Sequence, residues 1–303
     1  ATLVVANKSG ATVSLVDIAS REVRATVALG EGPHEVAVSP DGRLALVGIY
    51  GTREAPGSSM ALIEIASARL VRTISLGEYR RPHGIVWLAD NRRAVVTAEA
   101  NKALLVVDAL EGRVEAAVDT DQEVSHMVAV TPDAARAFVA NIRSGSVTVI
   151  DLAARRRVAQ VPTGAGAEGV AVTPDGATVW VTNRAADTVT VLDARSLAVL
   201  ATLDAPSFPI RSAVTLDGQR VLVTNARSGD LAVFDVPSRT LVRRLDLKLQ
   251  ASQLAGRLFG DTFGSSSVPI GIALDPDGRT AYVAHSNADL ISVMGNLACK
   301  KQG

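Results

Sequence analysis

The stretch "VAVTPDGATVWVTNRAADTVTVLDARSLAVLATL", residues 170–203, alternates short apolar runs with turn residues. Each run is rich in β-branched residues or alternates apolar with polar side chains, which is the pattern of β-strands. Gly, Pro, Asp and Asn bound the runs, and the glycine of the "PDG" corner tolerates positive φ. Helical periodicity is absent. With the preceding "EG", the unit is predicted to form four short antiparallel strands.

Copies of this unit cover the chain. Six four-residue segments can be aligned: PHEV, PHGI, SHMV, AEGV, PIRS and PIGI. Their second residues are His34, His83, His126, Glu168, Ile210 and Ile270. Their spacings of 49, 43, 42, 42 and 60 residues indicate a repeat near 42 residues with two insertions. Seven second strands can be counted: LVVAN, LALVG, RAVVT, AFVAN, VWVTN, VLVTN and AYVAH. This organisation is typical of a β-propeller, whose radial closure protects the sheet edges.

The 170–203 unit resembles the YVTN-type repeat of bacterial and archaeal propellers, and the pattern covers essentially the whole chain. The resemblance implies one seven-bladed, all-β propeller over residues 1–303, built of four-stranded antiparallel blades. Because the chain opens at a second strand, we expect the first or the last blade to be incomplete. The resemblance leaves function open, since such repeats resemble surface-layer and extracytoplasmic proteins as well as lactonase and cofactor-bearing oxidoreductase propellers.

Composition narrows the class of partner. The 31 basic and 31 acidic side chains balance, so we expect no nucleic-acid partner. No run of eighteen apolar residues occurs, and we expect no membrane span. "GAGAEG", residues 164–169, resembles a phosphate loop only superficially because no helix follows it, and no nucleotide cofactor is expected. The chain opens at Ala1-Thr2, and we expect a periplasmic or secreted protein whose signal peptide was removed.

The two insertions are predicted to share one end of the blades. Residues 50–61 extend a connection between a second and a third strand, and residues 248–268 extend a connection between a fourth strand and the next first strand. In the usual blade topology both open on the face that carries the channel mouth. Because loops on a rigid scaffold often carry function, we expect a small-molecule substrate or a protein partner there. The longer insertion is either a lid or a decorated surface loop, with apolar residues Leu254, Leu258, Phe259 and Phe263.

Histidines occupy one structural position in three consecutive repeats. The chain has four histidines, and His34, His83 and His126 hold that position, which Glu168 holds in the next repeat. Three imidazoles and one carboxylate at a channel mouth suit a transition metal with a site left open for water or substrate. Iron, copper, zinc and manganese are all admissible. Iron or copper would favour oxidation of a small organic substrate, and a zinc-like metal would favour lactone or ester hydrolysis.

Other interpretations of the histidines stay open. A histidine is common at this position of the repeat, so duplication could have left structural histidines that bond neighbouring backbone groups. Metal-free catalysis or ligand binding is a further alternative, as is an extracytoplasmic binding or interaction module without catalysis. Strict strand alternation would also place His34 on the same face as Val36 and Val38, so its direction depends on local twist at the strand start.

Candidates for catalysis lie at the ends of the second strands and on the fifth inner strand. The predicted strand ends are Asn7, Glu99, Asn141, Asn183, Asn225 and His285. The asparagines are typical turn residues, whereas Glu99 and His285 break the pattern and could orient a ligand or act as acid or base. Arg211 begins the fifth inner strand and could hold an anionic substrate by bidentate hydrogen bonds, or form a salt bridge between blades.

Overall fold

The seven-bladed β-propeller predicted from the repeat is confirmed. A computed structural model describes residues 1–254, 259 and 262–295. Within those residues, 26 strands form seven sheets, and the only helical segments are two 3₁₀ turns, Glu99–Asn101 and Ala251–Gln253. Five sheets have four strands, and the first and last have three each. No helix in this described part of the chain has the length and apolarity needed to span a bilayer.

Two compact units divide the chain. The first comprises Ala1–Val130, Ala134–Asn141 and Thr148–Ala159. The second comprises Thr131–Asp133, Ile142–Val147 and the described part of Gln160–Gly303.

The first four sheets are meanders in which strand order follows chain order. The first contains β1 (Thr2–Asn7), β2 (Thr12–Asp17) and β3 (Val23–Ala28). The second contains β4 (Pro33–Val38), β5 (Leu44–Gly51), β6 (Pro56–Glu64) and β7 (Arg69–Ser75). The third contains β8 (Pro82–Trp87), β9 (Arg93–Ala98), β10 (Ala103–Asp108) and β11 (Arg113–Asp119). The fourth contains β12 (Ser125–Val130), β13 (Arg136–Asn141), β14 (Ser146–Asp151) and β15 (Arg156–Pro162).

The remaining three sheets repeat the arrangement. The fifth contains β16 (Ala167–Val172), β17 (Thr178–Asn183), β18 (Thr188–Asp193) and β19 (Val199–Asp204). The sixth contains β20 (Pro209–Val214), β21 (Arg220–Asn225), β22 (Asp230–Asp235) and β23 (Thr240–Asp246). The seventh contains β24 (Pro269–Leu274), β25 (Ala281–His285) and β26 (Leu290–Met294).

Burial falls from the middle of each blade to its last strand. Every residue of β10 is buried, whereas β23 is exposed along almost its whole length. In the second unit, Trp180 and Phe234 are fully buried and their ring centroids lie 6.1 Å apart. These packed middle strands give each blade a rigid core from which the strand ends project.

The insertion at residues 50–61 adds strand rather than loop. β5 continues to Gly51 and β6 begins at Pro56, so only residues 52–55 form the turn of a lengthened hairpin. The second insertion contains the 3₁₀ turn Ala251–Gln253, and its Phe263 is buried against Phe208 and Val268. Leu258, one of the apolar residues expected in a lid, lies outside the described residues.

Candidate metal centre

Every blade that has a first strand also has a β-bulge at the start of that strand. In β8, Pro82 pairs with Ala98 and Ile85 with Val96, so His83 and Gly84 together face a single residue of β9. The same register shift occurs in β4, β12, β16, β20 and β24. Because a bulge re-aims side chains, the histidines do not follow the strand alternation that the sequence would assign to them.

A buried threonine holds the bulge of β8 in place. Thr97 Oγ1 accepts a hydrogen bond of 2.8 Å from the Gly84 amide and donates one of 2.6 Å to the carbonyl oxygen of His126 in the next blade. A Cβ atom on Gly84 would lie 2.7 Å from that same oxygen, so only glycine fits here. Thr97 therefore fixes the backbone at two of the predicted ligand positions.

The three histidines of this position come together in the first unit. The ring centroids of His34 and His83 lie 4.5 Å apart in an edge-to-face arrangement. Those of His83 and His126 lie 3.6 Å apart with planes tilted by 34°. His83 is 1% exposed and His126 is 8% exposed, so the cluster is largely removed from water.

Glu99 contacts this cluster from a different position than the sequence predicted. Ala98, not Glu99, occupies the last paired position of its second strand, as Asn141 does in the next blade. Glu99 is the following residue and opens a 3₁₀ turn. Its Oε2 lies 3.0 Å from Nδ1 of His126. A carboxylate that bonds one ring nitrogen of a histidine orients the other nitrogen toward a metal, a pairing common at metal centres.

Tyr50 is a member of the cluster that the sequence analysis missed. Its hydroxyl donates a hydrogen bond of 2.7 Å to Glu99 Oε1 and accepts one of 3.0 Å from Arg81. Its ring centroid lies 5.1 Å from that of His34 and 5.7 Å from that of His83. Burial, together with the charge and hydrogen bond of Glu99, raises the pKa of Tyr50 to about 12. Tyr50 is therefore a protonated donor at neutral pH.

The environment of Glu99 keeps it ionised. Burial alone would raise the pKa of its carboxyl group, but the hydrogen bond and charge of His126, the hydrogen bond of Tyr50 and the charge of Arg81 together outweigh burial. The net effect lowers the pKa of Glu99 below its ordinary value. An anionic oxygen thus lies beside the imidazoles.

Two overlapping groups of these side chains have the spacing of metal ligands. One consists of His34, Glu35 and His83, and the other of His83, Glu99 and His126. Within each group the candidate ligand atoms lie within 4.8 Å of one another. His83 belongs to both groups, which makes it the centre of the cluster.

Glu168, the predicted fourth ligand, has other partners and belongs to neither group. It lies in the second unit, where its Oε1 accepts a hydrogen bond of 2.8 Å from Arg211 and its Oε2 accepts one from Arg184. Glu168 is 2% exposed and Arg211 is 6% exposed, so the two form a buried ion pair. Arg211, predicted to bind an anionic substrate, is thus a partner of the predicted ligand, as its salt-bridge alternative anticipated.

His285, the other predicted acid or base, takes the place of the repeat's asparagine. Its Nδ1 lies 2.6 Å from Ser267 Oγ and its Nε2 lies 2.7 Å from Ser292 Oγ. Asn141 likewise bonds a serine on one side and Thr148 on the other. Burial lowers the pKa of His285 to about 4, so the ring is neutral near pH 7.

Comparison with known proteins identifies the family. The sequence model of the YNCE-like β-propeller family matches residues 97–253, which is more than half of the chain. The chain belongs to the YNCE-like β-propeller family. A search of the curated proteins finds no match.

Solved structures agree with the fold of this YNCE-like propeller. A chain of Kuenenia stuttgartiensis hydrazine synthase is similar with a TM-score of 0.80 and 21% sequence identity, over 98% of this chain and 92% of that chain. In all, 1731 solved chains match, so the likeness establishes the fold without selecting a function.

Proposed function

We propose that this propeller is a metal-dependent enzyme acting on a small organic substrate, with one transition metal bound by His34, His83 and His126. Glu99 supplies the carboxylate, either as a ligand or by orienting His126. The observation that carries the proposal is the 3.0 Å contact between Glu99 Oε2 and His126 Nδ1. The imidazole of His83 lies beside this pair, with its ring centroid 3.6 Å from that of His126. Glu99 thereby replaces Glu168 in the set expected from the repeat.

The chemistry of these donors suits iron, copper, zinc or manganese, because imidazole nitrogen and carboxylate oxygen are ligands of all four. Bound iron or copper would supply electron transfer for oxidation of the substrate, and zinc would supply a Lewis acid for lactone or ester hydrolysis. Around the metal, Tyr50 and Arg81 hold the Glu99 carboxylate by hydrogen bonding and charge. Their task is to keep that carboxylate ionised and fixed.

The proposal is tested by elemental analysis of protein purified without a histidine tag. The wild-type chain is compared with the triple variant His34→Ala, His83→Ala, His126→Ala, and with His285→Asn as a control that removes a histidine outside the cluster. Near-stoichiometric metal in the wild type and the control, lost in the triple variant, supports the site. The metal found then decides whether oxidation or ester hydrolysis is assayed.

Absence of metal from the wild type, after reconstitution with iron, copper, zinc and manganese in turn, would contradict the proposal. Circular dichroism of the triple variant separates loss of ligands from loss of fold. In that outcome an extracytoplasmic binding module becomes the function to test.

An extracytoplasmic location is part of the same proposal, and its support is the resemblance of the repeat to extracytoplasmic YVTN-type propellers. Fractionation of cells that express the native gene tests it. Recovery with periplasmic or secreted markers is expected, and recovery with cytoplasmic markers would contradict it.

A further inference from the structure

A second candidate site lies within the second unit and involves none of the histidines. Its centre is Phe208, the residue that precedes β20. Phe208 has a φ of 62°, and the residue at the same place before the bulge also has a positive φ in the other five blades that have a first strand: Gly32, Arg81, Val124, Gly166 and Val268. This left-handed backbone is therefore a feature of the repeat, and the sixth blade differs from the others in placing an aromatic side chain there. Asp187 Oδ1 accepts a hydrogen bond of 2.7 Å from the Phe208 amide and holds it there.

Two guanidinium groups lie against the Phe208 ring. The Cζ atom of Arg184 is 5.4 Å from the ring centroid and that of Arg227 is 5.3 Å from it. Each distance is within the range of a cation–π contact. Two like charges gathered on one ring repel each other, so an anion bound between them or beside them would relieve that repulsion.

The local carboxylates do not balance these cations. Arg184 shares the carboxylate of Glu168 with Arg211, whose guanidinium is buried. Arg227 is exposed, and within the described part of the chain no carboxylate forms an ion pair with it. The charge of Arg227 is therefore available to a ligand.

An aromatic wall completes the site. The ring of Phe263, from the 248–268 insertion, lies 5.0 Å from that of Phe208 in an edge-to-face arrangement. The partly exposed ring of Phe259 lies 5.8 Å from that of Phe263. A ligand held by the arginines would therefore meet aromatic side chains with its apolar part.

We propose that Arg184, Arg227 and Phe208 form a binding site for a small aromatic carboxylate. The guanidinium groups bind the carboxylate by paired charge-assisted hydrogen bonds, and the phenylalanines pack against the ring of the ligand. The site requires no metal, and it stands whether or not the metal centre does.

Benzoate is the probe, and its binding is measured by isothermal titration calorimetry on metal-free wild-type protein. Benzyl alcohol keeps the ring but lacks the charge, and acetate keeps the charge but lacks the ring. The variants are Arg227→Gln, Arg184→Gln and Phe208→Leu. Arg279→Gln, an exposed arginine of a turn in the same unit, is the matched control.

Benzoate is expected to bind more tightly than either comparison compound. Arg227→Gln should weaken benzoate about tenfold, because a charged hydrogen bond is lost. Arg184→Gln should have at least that effect, Phe208→Leu a smaller one, and Arg279→Gln none. The triple histidine variant should bind benzoate as the wild type does, which keeps this result separate from that of the metal centre.

Two outcomes would overturn the proposal. One is no benzoate binding by the wild type at concentrations up to about 10 mM, the weak end of specific affinity. The other is benzoate binding that Arg227→Gln leaves unchanged. Because Arg227 is exposed and forms no ion pair among the described residues, its substitution should not affect folding.

Discussion

The hydroxyl of Tyr50 donates a hydrogen bond of 2.7 Å to Glu99 Oε1, and the two residues hold the same position in consecutive blades. Each follows the second-strand residue that pairs with the start of the first strand in its own blade, and each amide bonds the carbonyl oxygen of the residue just before that first strand: Gly32 for Tyr50 and Arg81 for Glu99. Arg184 is at this position in the fifth blade and contacts Glu168. The repeat therefore places successive side chains of this position beside the bulge residues, where substitutions change chemistry without changing the backbone.

Loss of the Glu99 charge should weaken metal binding. Glu99→Gln keeps the size of the side chain but leaves a weaker acceptor for His126 and Tyr50, and such partners of metal-binding histidines typically contribute about 10- to 100-fold in affinity. Competition with a chromophoric chelator measures the affinity for zinc. Glu35→Gln, in the other ligand group, should have a smaller effect. If Glu35→Gln loses more zinc affinity than Glu99→Gln does, the carboxylate of the metal site is that of Glu35 and not that of Glu99.

Thr97→Val should destabilise the protein and weaken metal binding together. The hydroxyl bonds the Gly84 amide and the His126 carbonyl oxygen, and both groups would be left buried without it, which costs about 1–3 kcal/mol in the free energy of unfolding. Thr182 makes the corresponding bonds to Gly169 and Ile210 in the second unit. Thr182→Val should therefore lower the free energy of unfolding by the same amount as Thr97→Val, and urea unfolding measures both. Its metal affinity should equal that of the wild type. Equal loss of metal affinity in both variants would contradict a specific role for Thr97.

The sequence predicts the blades well because strand alternation and turn residues are local signals. It also identifies the three histidines, since the repeat carries them to equivalent positions. It misplaces Glu99 by one residue, because the third blade ends its second strand in Ala98 and has no asparagine to mark the register. The direction of the histidine side chains depends on the bulge. A bulge is a feature of the pairing between two strands, so the alternation of residues along a single strand does not predict it.

A signal for the bulge was present in the sequence. Gly84, Gly169 and Gly271 each follow the aligned residue of their repeat, and a glycine inside a strand often marks a bulge or a close backbone approach. The role of Tyr50 had no such signal. Its partner Glu99 is 49 residues away and the contact exists only because neighbouring blades pack together.

Gly84→Ala tests how tightly the backbone at the site is fixed. The added methyl group would lie 2.7 Å from the His126 oxygen and 2.8 Å from the Val128 nitrogen, both of which are backbone atoms that a rotamer change cannot move. Overpacking of this kind destabilises by about 1–3 kcal/mol. The displaced backbone carries His126, so metal affinity should fall as well. Gly10→Ala, where the nearest atom is 3.5 Å away, should leave both unfolding and metal affinity unchanged.

His285 should make the stability of the fold depend on pH. Its pKa is about 4 in the folded chain and about 6.5 when unfolded, so between these values the unfolded chain binds the extra proton. The stabilisation from the neutral ring is complete above pH 6.5, is lost as the pH falls toward 4, and changes no further below 4. A shift of this size corresponds to about 3 kcal/mol over that window.

The matched variant is His285→Asn, because asparagine is the residue that bridges two hydroxyl groups at this position in the fourth blade, where Asn141 bonds Ser125 and Thr148. Urea unfolding of both proteins between pH 4 and pH 7.5 measures the difference in their free energies of unfolding. Near pH 7 the two should agree within about 1 kcal/mol. The wild type should then lose stability relative to the variant as the pH falls below 6.5. Parallel curves over the whole range would show that His285 is not buried as a neutral ring, since every other titrating group is common to both proteins.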